Sequence, residues 1–301
     1  MTAAKPLRLK LPATSANLGP GFDTLGLAMA LYLTIDAVPA AAFRIEATGR
    51  NADLCAALDN NLILSTYTSV LTTANRPATP LFLQLHNEIP LGMGCGSSAS
   101  ALLAGVLLAN HFGSLNWTSQ QILEEACRRE GHPDNVAACF LGGMTASAMS
   151  ENKVITATYA LNLSWNLFLA LPSTSLATEK ARALLPATYS RADAVANIQN
   201  TALLVSAFAL GRGDLLRTAM QDRIHQPYRM EACPLLPKLL PLTANPAILG
   251  LALSGAGPSV LLITEESDPP TLFTRIREAA QDPTLEILQI TISTGATSII
   301  S

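Results

Sequence analysis

Apolar and polar positions alternate from Leu7 to Pro12, as on a strand with one buried face, and the pattern breaks at Ala13 to Gly21, a run rich in turn residues. A second strand is predicted over Leu25 to Val38, where Tyr32, Leu33, Thr34 and Ile35 supply β-propensity, and a third over Phe43 to Ala47. The period then changes, and Asn61 to Thr73 has helical spacing. Leu81, Leu83 and Leu85 return to a strand period, and a helix follows from about Ser97 to Asn110. The next helix carries its own punctuation: Thr118 and Gln121 stand in capping-box relation at its start, and Gly131 at its stop. After a short apolar run from Asn166 to Leu171, helical patterns at Ala177 to Leu185, Ala192 to Leu210 and Asp214 to Gln221 precede strand-like runs at Ser259 to Thr264 and Leu285 to Ile292. Strands and helices mixed in this way predict α+β layers. The domain boundary is placed near Asn152 to Leu163, which divides the chain into 1–158 and 159–301.

Composition narrows the function classes. The 301 residues are 49% hydrophobic and 14% charged, well under the roughly 25% charged of ordinary soluble domains, so disorder is excluded for most of the length. A net charge of -3 gives no basic footprint, and no nucleic-acid partner is expected. The longest charge-free stretch, between Glu88 and Glu124, contains an apolar run from Ala99 to Ala109, about half the length a spanning helix needs. Met1 to Lys10 lacks a signal-length apolar segment. No membrane partner and a cytoplasmic location are therefore expected. The five cysteines include no CxxC pair, which favours reduced thiols acting as small hydrophobes.

The strongest local signal is Pro90, Leu91, Gly92, Met93, Gly94, Cys95, Gly96, Ser97, Ser98, Ala99 and Ser100, set between a strand and a helix. Glycines at alternate positions let backbone N–H groups converge, and the helix N-terminus adds unpaired donors, so the segment suits a phosphate cradle or a tight packing turn. It is neither a Walker A loop nor a dinucleotide fingerprint, since no Gly-Lys-Ser/Thr follows and the third glycine position is Ser97. Gly131-His-Pro-Asp-Asn135 crowds His132, Asp134 and Asn135 into one loop, as a ligand site or as helix caps. Leu253 to Val260 carries Gly255 and Gly257 ahead of a strand, as a ligand-facing loop or a strand-entry turn. Arg182 and Arg229 stand out in a charge-poor chain and suit bidentate binding of a carboxylate or phosphate. By periodicity alone Glu124 is a solvated carboxylate.

Taken in order, Pro12 to Asp23, Pro90 to Ser100 and Leu253 to Ser259 resemble the three-motif set of the GHMP kinases. Within that superfamily, Ser15-Ala-Asn-Leu-Gly-Pro-Gly-Phe-Asp23, Gly131 to Asn135 and Gln226-Pro-Tyr-Arg229 are similar to the homoserine kinases, and the resemblance spans about Leu9 to Ile263. It implies a mixed-sheet N-terminal domain with a helical layer, a ferredoxin-like α+β C-terminal domain, and ATP between them. Pro90 to Ser100 would wrap the phosphates and Asn61, Leu62 and Ile63 would meet adenine. Ser98 and Glu124 match the family's magnesium-binding serine and glutamate. For L-homoserine, the resemblance implies Asn17 and Asp23 at the ammonium, Arg182 and Arg229 at the carboxylate, and Asn135 with His132 at the hydroxyl, beside the Gly255 and Gly257 loop. Catalytic roles thus fall to Ser98, Glu124 and Asn135, and a homodimer is suggested by likeness only. The alternatives are a mevalonate- or sugar-type kinase of the same superfamily, or a non-catalytic nucleotide sensor. Two departures stand out. Cys95 replaces the usual Leu and is open to a lowered pKa and oxidation beside an anion cradle, and Gln226 replaces the usual Glu, which leaves substrate orientation in question.

Overall fold

The computed structural model describes residues 5–151, 153–160, 163, 165–266 and 268–300. Residues 1–4 of the N-terminal segment, and Asn152, Leu161 and Asn162 of the stretch chosen for the boundary, lie outside the described residues.

The first sheet is mixed, as expected. It contains β1 (Leu7–Asn17), β2 (Gly21–Pro39), β3 (Arg44–Gly49), β4 (Leu81–Asn87), β5 (Met144–Ser150) and β6 (Lys153–Tyr159). β3 runs parallel to β4 and the other pairings are antiparallel. A second sheet holds β7 (Asn166–Leu171), β8 (Ile248–Leu253), β9 (Val260–Thr264) and β10 (Glu286–Ile290) in the order β10-β7-β9-β8, all antiparallel. That is the 4-1-3-2 order of a ferredoxin-like unit. The last strand, β11 (Thr297–Ile300), returns to pair with β1.

Two helices, α1 (Ala52–Ala56) and α2 (Leu62–Thr73), follow β3. Three more, α3 (Ser97–Phe112), α4 (Ser119–Glu130) and α5 (Asp134–Leu141), lie between β4 and β5 and pack on β1, β2 and one another. Between β7 and β8 run α6 (Thr178–Ala183), α7 (Arg191–Leu210), α8 (Leu216–Ala219), α9 (Gln226–Arg229) and α10 (Leu235–Leu239), and α11 (Pro269–Ala280) precedes β10.

Burial explains where the hydrophobic pattern was easy to read. In β7, Leu167, Leu169 and Leu171 join the core shared with the first sheet, while Phe168 and Ala170 face a second core with α10 and α11. Both faces are covered, hence the continuous apolar run. The loop expected at Ala13 to Gly21 is corrected for the same reason. β1 continues to Asn17, pairing Ala13 to Ala16 with Met29 to Gly26 past a register shift, and every residue there is buried, so alternation disappears. Both α4 signals hold: the Thr118–Gln121 capping box is formed and Gly131 caps the helix in the left-handed region.

Candidate active site

The three glycines of the loop after β4 all have positive φ, and the loop is wedged between two other segments. A Cβ on Gly96 would overlap the Thr14 hydroxyl and lie 3.0 Å from Asn135 Oδ1, and one on Gly94 would overlap the Ser254 carbonyl. These approaches are locked by hydrogen bonds. Thr14 N–H donates to Cys95 O (3.0 Å), and Ser254 Oγ donates to Gly94 O (2.7 Å). The loop ends at the N-terminus of α3, whose first-turn N–H groups and positive dipole end suit an anion.

Gly94, Gly96, Ser98, Glu130, His132 and Asn135 line a cavity of about 90 Å³ at this helix end, with Gly255 on its far side. A second recess of about 170 Å³, more apolar, is lined by Leu54, Asn61, Leu62, Ile63, Leu91 and other residues, and Ser97 borders both. Asn61 shapes this recess as the N-cap of α2, its Oδ1 accepting from the N–H groups of Ile63 and Leu64.

Asp134, only 2% exposed, organises the cavity wall. Its Oδ1 accepts from His132 Nδ1 (2.7 Å) and from Asn135 N–H (2.7 Å) and Nδ2 (3.2 Å), while Thr14 Oγ1 donates to Asn135 Oδ1 (2.7 Å). Burial is the largest single influence on His132 and disfavours its protonated form, but the hydrogen bond to Asp134 together with the nearby charges of Asp134, Asp23 and Glu130 outweighs it and holds the imidazole pKa above its usual value. Glu130 is half-buried, and its carboxylate makes no hydrogen bond or ion pair with another described residue. Burial, reinforced by Asp134, pushes its pKa up.

Beyond His132 the site changes character. One ligating atom from each of Asp23, His132 and Asp134 lies within 4.8 Å of the others. Asp23 is held by Arg182 in a bidentate pair (2.8 and 2.9 Å). The Arg182 and Arg229 guanidinium carbons lie 5.4 and 5.6 Å from the centre of the Phe22 ring. Arg229 is 2% exposed and bonds to Ala181 O (3.2 Å) and His225 Nδ1 (2.9 Å). Burial, with Arg182 nearby, lowers its pKa.

Residues 61–143 match the GHMP kinases N terminal domain family and residues 204–282 the GHMP kinases C terminal family. The chain is 49% identical over 258 residues to a homoserine kinase of Solibacter usitatus, covering 85% of this chain and 84% of that protein. It belongs to the homoserine kinase family. A homoserine kinase of Synechocystis sp. is 38% identical over 282 residues, 92% of each chain. The solved homoserine kinase of Cytophaga hutchinsonii superposes with a TM-score of 0.82 over 99% of each chain, at 23% identity.

Against the residues that the family resemblance nominated, the structure gathers most and moves some. Gly92, Gly94, Cys95, Gly96, Ser97, Ser98, His132, Asn135 and Gly255 border the phosphate-side cavity, while Asn61, Leu62, Ile63 and Leu91 border the apolar recess. Pro90, Met93, Ala99 and Ser100 border neither; Ser100 Oγ is turned inward to Pro12 O and Gly96 O. Gly257 packs on Cys233 rather than on the cavity. Asn17 is 4% exposed and occupied by backbone on both sides, donating to Gly255 O (2.9 Å) and accepting from Asp23 N–H (3.1 Å).

Glu124 is the main displacement. It faces Gln120 and lines a separate surface recess with Trp117 and Arg128. Leu123, Ala126, Cys127 and Glu130 form one inward stripe at positions i, i+3, i+4 and i+7 of α4. The stripe was visible in the sequence and ends on Glu130, the carboxylate that reaches the cavity. Thr14 and His225 were also missed, because each acts on another site residue rather than at an open face; Asp134, weighed in the sequence as a ligand-site residue or a helix cap, serves here to hold His132 and Asn135. The expectation for Cys95 is overturned: the thiol is buried, and burial pushes its pKa up to about 12. The Gln226 departure resolves simply, since its Oε1 accepts from Leu253 N–H (2.7 Å), a contact that needs only an oxygen.

Proposed function

We propose that the chain transfers the γ-phosphoryl group of ATP to the side-chain hydroxyl of L-homoserine, giving O-phospho-L-homoserine and ADP on the route to threonine. The observation that carries the reading is the pairing of an anion cradle with both signs of charge at its mouth. Homoserine needs a partner for an ammonium and for a carboxylate, and Asp23, Arg182 and Arg229 supply them beside His132 and Asn135. Mevalonate and sugars have no ammonium for Asp23.

In the free protein Asp23 and Arg182 satisfy each other. An exposed ion pair of this kind is worth about 0–1 kcal/mol, so a zwitterion can replace it charge for charge at little cost. The ammonium then takes Asp23 and the carboxylate takes Arg182 and Arg229. Asn135, its amide fixed between Thr14 and Asp134, orients the hydroxyl toward the α3 N-terminus. The loop amides and helix end hold the nucleotide phosphates, and the apolar recess at Asn61, Leu62 and Ile63 takes the base. Phosphoryl transfer passes through a loose transition state, so positioning and charge stabilisation carry most of the rate.

Ser98 and Glu130 fit Mg²⁺: one is an exposed hydroxyl and the other an unpaired, half-buried carboxylate whose charge a cation would relieve. When bound, the ion would neutralise charge on the phosphate oxygens. We place residues 1–158 and 159–301 as the two walls of this cleft. Five unpaired cysteines suit a reducing, cytoplasmic setting.

The test is ADP release from Mg-ATP with L-homoserine, L-threonine, L-serine, mevalonate and galactose supplied separately. Turnover confined to homoserine is the expected result. Turnover with mevalonate or galactose instead would discard the zwitterion argument, and nucleotide binding without turnover would favour a sensor.

A further inference from the structure

His225 makes none of the substrate contacts proposed above, yet it is fully buried and both ring nitrogens are engaged. Nε2 lies 2.8 Å from Gly19 O and Nδ1 lies 2.9 Å from Arg229 Nη1. A carbonyl oxygen only accepts and a guanidinium N–H only donates. The two partners therefore fix the ring: the proton is on Nε2, the lone pair is on Nδ1, and the imidazole is neutral. The residue is itself held in place. Its main-chain N–H donates to Asp222 Oδ2 (2.9 Å), and its ring stands 5.5 Å from that of Phe22, tilted by 30°.

We propose that His225 is a positioning residue for the substrate carboxylate, aiming the Arg229 guanidinium and tying it to the turn that carries Asn17 and Asp23. Two features make histidine the right group. First, Gly19 lies between Asn17 and Asp23, so one rigid ring sets the ammonium side and the carboxylate side at a fixed spacing. Second, His225 orients Arg229 without neutralising it. Among the described residues no carboxylate lies within ion-pair distance of Arg229. An acidic partner at position 225 would satisfy the guanidinium internally and leave less to gain from the substrate. A neutral acceptor leaves the positive charge uncompensated until a carboxylate arrives.

The inference rests on Arg229 meeting the homoserine carboxylate, and the experiment separates the two. Steady-state constants are measured for His225→Gln, His225→Asn, Arg229→Leu and the His225→Gln/Arg229→Leu double variant. The acceptors are L-homoserine and 3-aminopropan-1-ol, which keeps the ammonium and hydroxyl but lacks the carboxylate; where it is not turned over, its inhibition constant is used. Gln reaches the Nε2 position and loses the acceptor for Arg229, so the homoserine KM should rise about tenfold while the ATP KM stays put. Asn places Oδ1 near the Nδ1 position and should recover most of that loss. The constants for 3-aminopropan-1-ol should be unmoved in His225→Gln, which keeps the tie to Gly19 O, and the double variant should be no worse than Arg229→Leu alone. Equal losses with both acceptors would make His225 merely structural and overturn the proposal. A raised homoserine KM in Arg229→Leu with none in His225→Gln would also overturn it, leaving the carboxylate reading intact. An unchanged homoserine KM in Arg229→Leu would remove that reading and this inference together. Thermal unfolding of each variant with and without ATP checks that the fold persists; if Gln does not fold, a homoserine KM raised as far in His225→Asn as in Arg229→Leu overturns the proposal, since Asn keeps the acceptor for Arg229.

Discussion

Around the glycine loop, contact is made by backbone and small side chains: Gly94 under Ser254, Gly96 under Thr14, Ser97 and Ser98 at the start of α3. Across the cavity, the turn at 17–23 meets α6 and α9 through Asp23, Arg182, His225 and Arg229. The first region achieves its fit by excluding atoms, the second by balancing charge. Steric exclusion fails abruptly, because a Cβ either fits or displaces the loop. Charge balance degrades by steps, because remaining partners and water share the loss. The Glu130 carboxylate is the exception in the first region, a half-buried charge that feels His132 and Asp134 but is hydrogen-bonded to neither.

The contrast orders the expected effects. Glu130→Gln should lower kcat on the order of 10²–10³-fold at saturating Mg²⁺. Glu124→Gln, tested beside it, should stay within about twofold, as surface changes usually do. If the two carboxylates behave alike, α4 does not present Glu130 to the reacting groups. Gly96→Ala should cost about 10²-fold in kcat/KM for ATP, since a loop shift of about 1 Å is enough for that. The matching thermal-shift measurement should show lost stabilisation by ATP. Asp23→Asn should raise the homoserine KM by about tenfold and leave the ATP KM alone, the graded response of a charged region. A larger loss there than in Gly96→Ala would erase the distinction between the two regions.

The pH dependence of stability sharpens the comparison further. Burial, partly offset by Asp222, brings His225 down to about 4 in the folded protein from an ordinary value near 6.5. Between those values the unfolded chain binds the proton and the folded one does not, so stability falls as pH drops from 6.5 toward 4. The slope from this residue approaches about 1.4 kcal/mol per pH unit. Denaturant midpoints between pH 7 and 4.5 should show it, and His225→Asn should flatten it. The smallest effect is chemical: with four thiols buried and Cys55 half-buried, native protein should react rapidly with a thiol reagent at about one site, and denatured protein at all five.

What the sequence disclosed follows burial. One-sided strands such as Leu81 to Leu85 and locally capped helices such as α4 were readable because the signal and its cause lie within a few residues. The second half of β1 and all of β8 were not, since segments covered on both faces lose their period. The glycine loop could be identified as an anion cradle, but its wedging by Thr14 and Ser254 depends on contacts from distant parts of the chain. Homoserine kinase motifs nominated Asp23, Arg182 and Arg229 together; only the fold reveals that Asp23 and Arg182 hold each other, and that Arg229 leans on His225.

β11 pairs Thr297 to Ile300 with Leu7 to Lys10, and just before it Gly143 N–H donates to Ser293 O and Ser293 N–H to Ala28 O. During synthesis, then, the strand that emerges early waits with an open edge for residues translated nearly 290 codons later, by about the span of the pairing. Closing so long a loop is slow, and a nascent chain stalled before residue 291 would present a ready template for pairing with its neighbours on the polysome. Joining residues 7 and 300 by a short linker and opening the chain at an exposed turn would bring those two strands together from the start, giving a circular permutant that refolds faster from denaturant than the natural order does.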